Sequence, residues 1–259
     1  MDTLNNSGTV KDQYKTSDNL DIRIAIHSRY STNKTGFGNW IISNYGIEKG
    51  MRVLELGCGT GNMWTGKKDL TDMCSELILS DFSEGMISKA KENLDGYGNI
   101  RYQVIDIQDI PYPDDSFDMV IANMMLYHVP DLQKGLSEVR RVLKDGEKFC
   151  CATFGVNGLM ESIVSMFSEF DAVSETNYNF TLQNGRDKLS PFFSDIEMLH
   201  YDDSLEVTNI EDMINYIRSL SNMSALYKLP EETIRGVLQR NMSDGILKLP
   251  KDYGMFIAR

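Results

Sequence analysis

The first dense apolar run in this chain, Val53-Leu54-Glu55-Leu56, stops abruptly at Gly57-Cys58-Gly59-Thr60-Gly61. A run that short, ended by glycines, reads as a buried strand entering a tight turn, with a helix after it. A second run, Leu77-Ile78-Leu79-Ser80-Asp81, reads as another strand and ends in a carboxylate. Strand patterns also fall at 100–105, 117–122 and 147–154, with the first two covering 52–56 and 76–80. Helical patterns fall between them, at 61–70, 84–94 and 131–143. This alternation predicts a parallel sheet with right-handed crossovers.

The flanks are less regular. Residues 1–16 are polar and read as a frayed end. Residues 18–30 support two readings. Leu20, Ile22, Ile24 and Ile26 alternate like a strand, while the flanks suit a helix capped by Ser17 or Asp18. After a loop at 31–36, the spacing of Phe37, Trp40, Ile41, Asn44 and Tyr45 predicts a short amphipathic helix. Downstream, a helix is expected over 158–170 and a polar lid or insertion over 174–190. A strand over 196–207, helices over 209–221 and 231–242, and a short strand over 253–258 follow. The expected organisation is an N-terminal helical cap (1–50), a core (51–155), and a remainder (156–259) that completes the same domain.

Composition narrows the choice of partner. With 259 residues the chain can bury a large core, and its net charge of −12 argues against nucleic acid, which favours a basic face. No run of 18 apolar residues exists to span a membrane, and the polar start lacks the apolar stretch of a signal peptide. A cytoplasmic monomer or homodimer, with no membrane partner, is expected. The four cysteines form no C-x-x-C pair and there are three histidines, so no zinc site is expected. Cys150 and Cys151 read as small buried hydrophobes, and so do Met223 and Met242 as core filler.

The chemistry is concentrated around the glycine turn. Gly57, Gly59 and Gly61 let the backbone approach a ligand, or else pack tightly. A dinucleotide site calls for G-x-G-x-x-G, whereas here the register is E-x-G-x-G-x-G with Asn62 following. Fifty residues also precede the first strand. Asp81 is placed to accept both hydroxyls of a ribose, or to cap the next helix. Asp106, ending the third strand, can accept from an exocyclic amine while the Ile107 N–H meets a ring nitrogen; together these read an adenine edge. Alternatively, Asp106 is a solvated loop acid.

The ordered set Glu55-Leu56-Gly57-Cys58-Gly59-Thr60-Gly61, Asp81-Phe82-Ser83-Glu84-Gly85-Met86, Asp106, the 110–120 stretch Ile-Pro-Tyr-Pro-Asp-Asp-Ser-Phe-Asp-Met-Val and Glu138–Gly146 resembles the class I S-adenosylmethionine-dependent methyltransferases of the small-molecule type. The likeness is close over 50–155. It implies a Rossmann-like α/β fold: a mostly parallel seven-stranded sheet, helices on both faces, and a terminal antiparallel strand. It implies that S-adenosyl-L-methionine lies over Gly57, Cys58 and Gly59, with Glu55 close by. Asp81 would hold the ribose diol, Met86 would flank the adenine, Asp106 with Ile107 would read its edge, and Phe82 would be a further cofactor contact. Asn123 would sit near the amino end of the cofactor, and Met124, Met125, Leu126, Tyr127 and His128 would face the acceptor. The [D/N]-P-P-[Y/F] segment of enzymes that methylate base amines or glutamine amides is replaced by Asn123-Met124-Met125-Leu126. The expected function is therefore N- or O-methylation of a small-molecule acceptor. A non-catalytic cofactor binder and an NAD-dependent oxidoreductase are the alternatives.

His128 is the candidate base, since its ordinary pKa lies near neutrality; a packed histidine before Pro130 is the other reading. Tyr30 is a second catalytic candidate. Tyr30, Tyr127 and His128 are the expected acceptor contacts, with His27, Phe37 and Trp40 in a segment that can fold over the site.

Overall fold

A computed structural model of the protein describes residues 17–173, 176–220, 226 and 228–259, excluding the side chains of 17–21 and 24. The expectations for residues 1–16 and Met223 lie outside the described residues. In chain order the elements are α1 (Ser17–Tyr30), α2 (Phe37–Tyr45), β1 (Arg52–Leu56), α3 (Lys68–Met73), β2 (Glu76–Asp81), α4 (Glu84–Asn93), β3 (Ile100–Val104), β4 (Phe117–Ile121), α5 (Leu132–Val142), β5 (Leu143–Phe154), α6 (Leu159–Met166), α7 (Gly185–Leu189), β6 (Ile196–Val207), α8 (Ile210–Ser219), α9 (Glu231–Arg240) and β7 (Leu247–Ala258).

The strands form one seven-stranded sheet in the order β3-β2-β1-β4-β5-β7-β6. It is mostly parallel, with antiparallel strands at its end. Both faces of β1 are buried, so Val53, Leu54 and Leu56 are apolar and Glu55 is the one buried polar residue of the strand. Leu54 lies opposite Ile78 and Val120, and these pack with Leu136 and Val139 of α5. Val53, one residue away, faces the other side with Leu77 and Met119, against Ile41 and Tyr45 of α2 and Ile87 of α4. Glu55 shares this second face, in register with Leu79 and Ile121.

The chain forms two compact units. One comprises residues 37–154, 179–200 and 254–259; the other, among the described residues, comprises 17–36, 155–178 and 201–253. This differs from the expected division in that α2 belongs with the sheet, because Ile41 and Tyr45 are buried in its core. The second unit gathers α1, α6, α8, α9 and the remaining stretches of β6 and β7 around Ile26, Ile163, Met213, Ile217 and Leu238. In α1 the helical reading prevails over the alternating one: Ile22 is 36% exposed and Ile26 buried.

Several boundaries move for physical reasons. The expected helix at 61–70 becomes a 3-10 turn, Asn62–Trp64, followed by α3. Gly66 between them has φ 73, which no helix sustains. The expected helix at 158–170 ends at Met166. The polar stretch at 174–190 contains the short helix α7, preceded by Asn184, whose Oδ1 accepts from the Thr181 N–H at 2.7 Å. The last strand begins at Leu247, six residues before the expected start. Leu247, Leu249 and Lys251 alternate inward around exposed Lys248 and Pro250, and the inward lysine hides the pattern.

That lysine anchors the second unit. Lys251 and Asp203 form a fully buried ion pair. Asp203 also accepts from Ser31 Oγ at 2.8 Å and from the Asn33 N–H at 2.9 Å. Burial alone would raise the Asp203 carboxyl, but Lys251 and these donors outweigh it and hold it below its ordinary value. His27 packs edge-on to Tyr216 at 6.2 Å. Burial first, then the Lys251 ammonium, push His27 from 6.5 down to about 4, against a smaller pull from Asp203.

Two outcomes are expected. Lys251→Met leaves Asp203 buried without its cation and should cost about 3–5 kcal/mol in urea unfolding, more than Asp203→Asn combined with Lys251→Met. His27 makes the unit sensitive to acid. Below pH 6.5 the unfolded chain takes a proton that folded His27 refuses until about pH 4. Stability therefore falls as pH drops through that window, by about 1.4 kcal/mol per pH unit and about 3 kcal/mol in all. His27→Gln should flatten that slope in unfolding curves measured across the same range.

Candidate active site

The site is built where β1 ends. Gly57 and Gly59 have φ of 71 and 56, the left-handed region that a side chain disfavours. A Cβ on Gly57 would lie 2.8 Å from Met125 Cγ, so its absence lets the segment after β4 close on the turn. A Cβ on Gly59 would meet nothing within 4 Å, which marks the open side of the turn. The Gly59 N–H donates to Asp81 Oδ2 at 3.0 Å and the Ser83 N–H donates to Oδ1 at 2.9 Å. These N–H groups, with that of Phe82, hold the carboxylate across the turn. The cap of α4 is Ser83, whose Oγ accepts from the Met86 N–H at 3.4 Å; Asp81 does not cap it. Burial raises the Asp81 pKa despite its N–H donors.

Glu55 lies beneath the turn and is 1% exposed. Its Oε2 accepts from Trp64 Nε1 at 2.6 Å and its Oε1 from Asn123 Nδ2 at 3.5 Å. Asn123 Nδ2 also donates to Tyr45 Oη at 2.6 Å. With the amide nitrogen so committed, Asn123 Oδ1 is buried and has no donor among the described residues. Burial pushes the Glu55 carboxyl up to about 7; Trp64 and Asn123 oppose this and the nearby Asp81 charge adds to it. No cation pairs with Glu55 or Asp81 among the described residues. Two acids and an unmatched acceptor oxygen suit a ligand with an ammonium or other positive centre. Cys58, between the glycines, is buried, and burial with the Glu55 and Asp81 charges raises its thiol far above reactive range.

Farther along the sheet edge, Val104 lies opposite Asp81, and both Val104 and the adjacent Phe82 are 45% exposed. Met86 is half-buried one turn into α4. Asp106 is engaged locally: its Oδ1 accepts from the Gln108 N–H at 2.9 Å and from Gln108 Nε2 at 3.1 Å. Ile107 is buried, and the space against Gly135 is filled by its side chain.

After β4, Met124 has φ 53, a left-handed conformation for a residue that does not favour it. Leu126–His128 form a 3-10 turn. The His128 ring is 4.4 Å from Tyr127, and Tyr127 is 4.8 Å from Phe154. His128 Nδ1 is buried without a partner, and burial lowers the pKa, so the ring stays neutral at physiological pH. Tyr30 belongs to the other unit, where its hydroxyl donates to Asp212 Oδ2 at 2.6 Å.

Within the sheet unit the structure therefore gathers Glu55, Gly57, Cys58, Gly59, Asp81 and Asn123. The sequence reading did not single out Trp64 or Phe154 as parts of this site, and it took Tyr45 only as a helix-packing residue. Tyr45 and Trp64 both sit in apolar patterns that look like ordinary packing; the Trp64 indole N–H reaches the acid itself, and the Tyr45 hydroxyl reaches Asn123.

Comparison with known proteins gives a consistent picture. A family model described as a methyltransferase domain matches residues 47–195. A demethylmenaquinone methyltransferase of Staphylococcus aureus is 26% identical over 175 residues, which cover 62% of this chain and 73% of the relative. A ubiquinone/menaquinone biosynthesis C-methyltransferase of Pasteurella multocida is 35% identical over 112 residues, and the match spans 42% of each protein. Among solved structures, the YcgJ protein of Bacillus subtilis has a TM-score of 0.60 at 18% identity, covering 85% of this chain and 96% of that one. Haemonchus contortus phosphoethanolamine N-methyltransferase 2, solved with S-adenosyl-L-methionine, has a TM-score of 0.58 at 20% identity, covering 94% of this chain and 57% of that one. At these identities the structural likenesses concern the fold.

Stability distinguishes the two glycines. Gly59→Ala should cost about 1–2 kcal/mol, the penalty of a left-handed alanine. Gly57→Ala should cost about 1–3 kcal/mol more, because Met125 must also move. Equal losses in urea unfolding would show that Met125 does not press on the turn.

Proposed function

This chain belongs to the methyltransferase-domain family, whose model spans more than half of it, and is a class I S-adenosylmethionine-dependent methyltransferase of small molecules; from that premise we propose that the cofactor lies against the glycine turn of the sheet unit and the acceptor against the segment after β4. The observation that carries this placement is the pair of acids Glu55 and Asp81 without a cation, with Asn123 Oδ1 unmatched beside an open-sided turn.

In this reading Asn123 Oδ1 and Glu55 receive the amino end of the cofactor. The backbone at Gly57, Cys58 and Gly59 runs beside its methionyl part. Asp81 accepts from the ribose hydroxyls. Phe82 and Met86 flank the adenine, and Asp106 with the Ile107 N–H reads its edge. When bound, the cofactor supplies an electrophilic methyl on a leaving group of its own. The chain's contribution is then to orient the acceptor and exclude water.

His128 supports the chemistry of the acceptor. A neutral imidazole can take the proton that an alcohol, phenol or amine loses as it is methylated. Tyr127 and Phe154 offer an aromatic wall beside it, suited to a flat, uncharged acceptor. Tyr30 is given no step, because its hydroxyl is committed to Asp212 within its own unit. A second acceptor class, an activated aromatic carbon, is favoured by similarity to relatives named as a demethylmenaquinone methyltransferase and a C-methyltransferase.

The test combines binding with turnover. Asp81→Ala leaves two hydroxyls unpaired and should weaken cofactor binding by about 1–3 kcal/mol in calorimetry. Unchanged affinity would remove Asp81 from the site. His128→Ala should leave cofactor affinity intact and slow methylation of phenols and amines about 100-fold or more. Full turnover in that variant would leave positioning by apolar walls as the whole account.

A further inference from the structure

Glu55 is unusual among the acids of this protein. Of the buried polar or charged side chains, Asp203 has Lys251 as its counter-ion, whereas Glu55 has only neutral donors. The groups facing it come from every element packed around it. Tyr45 reaches it from α2, Trp64 from the 3-10 turn, Cys58 from the glycine turn, Asp81 from the end of β2 and Asn123 from beyond β4. Cys150 of β5 lies behind Tyr45. None of these groups carries positive charge, and Asp81 carries negative charge. A buried carboxyl in such surroundings lowers its cost by holding a proton.

We propose that Glu55 is the residue by which this protein distinguishes the cationic cofactor from its uncharged product, releasing its proton when the first binds and recovering it when the second remains. The inference rests on the cofactor assignment above. S-adenosylmethionine carries a sulfonium and an ammonium against one carboxylate, for one net positive charge. Its demethylated product has lost the sulfonium charge and is neutral overall. On cofactor binding the proton of the Glu55 carboxyl leaves to solvent, and the resulting carboxylate is balanced by the incoming charge. During transfer the carbon–sulfur bond breaks, its electron pair stays on sulfur, and the acceptor gives up a proton. The Glu55 carboxylate then has a weaker counter-charge and takes a proton back from solvent. The carboxyl midpoint near 7 places this exchange in the physiological range. The consequence is that cofactor is preferred over product more strongly as pH rises.

Trp64 provides a direct reporter, since its Nε1 donates to the carboxyl itself and Trp40 is the other tryptophan of the chain. Three measurements on the full chain test the proposal. In a Trp40→Phe background, emission from Trp64 in the unliganded protein should titrate with a midpoint near 7. Calorimetry near pH 6.5, run in phosphate and in Bis-Tris, should show about three-quarters of a proton released per S-adenosylmethionine bound and distinctly fewer for S-adenosylhomocysteine. Cofactor affinity should rise about tenfold per pH unit below the midpoint, with a shallower rise for the product. Glu55→Gln, which mimics the protonated acid and keeps an acceptor for Trp64, should abolish the emission titration and the proton release together. A flat Trp64 titration in the parent, or equal proton release for the two ligands, would overturn the proposal while leaving the cofactor assignment standing. Failure of the parent to bind S-adenosylmethionine at any pH would overturn the assignment itself.

Discussion

The burial of one carboxyl group at the end of the central strand organises the sheet unit. Glu55 occupies a position where both strand neighbours on its face, Leu79 and Ile121, are apolar. A polar group there must be given hydrogen bonds or the strand cannot be buried. Two segments converge to supply them. The chain after the glycine turn winds as a 3-10 turn that brings the indole of Trp64 inward. The segment after β4 presents Asn123, whose amide nitrogen donates to Glu55 and also to the Tyr45 hydroxyl of helix α2. The shape of the site follows from meeting one acid's demand with neutral donors.

The second unit meets a comparable demand differently. Asp203 and Lys251 are both buried, but they face each other, and Ser31 and Asn33 complete the carboxylate's shell. That arrangement is electrically closed. It ties the chain just after α1 to β6 and β7 and leaves no charge for a ligand to balance. Around Glu55 and Asp81 the charge is left open. A protein that satisfies its buried acid so fully in one place and leaves another uncompensated has, in the second case, a site that a positive ligand completes.

Left-handed backbone also shapes the site. Gly57 faces Met125, the neighbour of left-handed Met124, and Gly59 turns to the open side. The glycines adopt that conformation without a Cβ to resist it, but Met124 is held there by the fold, with its N–H donating to Ala152 O at 2.8 Å. Strain of this kind persists only where the surroundings enforce it, and it aims the neighbouring Asn123 and Met125 at the turn.

Much of this was legible from residue order alone. The strand-and-glycine pattern at 52–61, the acid closing 76–81 and the 37–45 helix come from local rules of burial period, turn chemistry and spacing, and those act within a few residues. The family resemblance rested on the same short motifs. What residue order left open were properties set by partners distant in the chain. Asp81 read equally as a ligand acceptor or as a helix cap; the Gly59 N–H assigns it to the turn, and the Ser83 hydroxyl caps the helix instead. Trp64 looked like a helix residue until its bond to Glu55, and the inward Lys251 hid a strand because its counter-ion lies 48 positions away. Hydrophobic period records which face is buried, but the protonation and pairing of a buried charge depend on what the tertiary fold brings against it, and so the chemistry of Glu55 was decided only there.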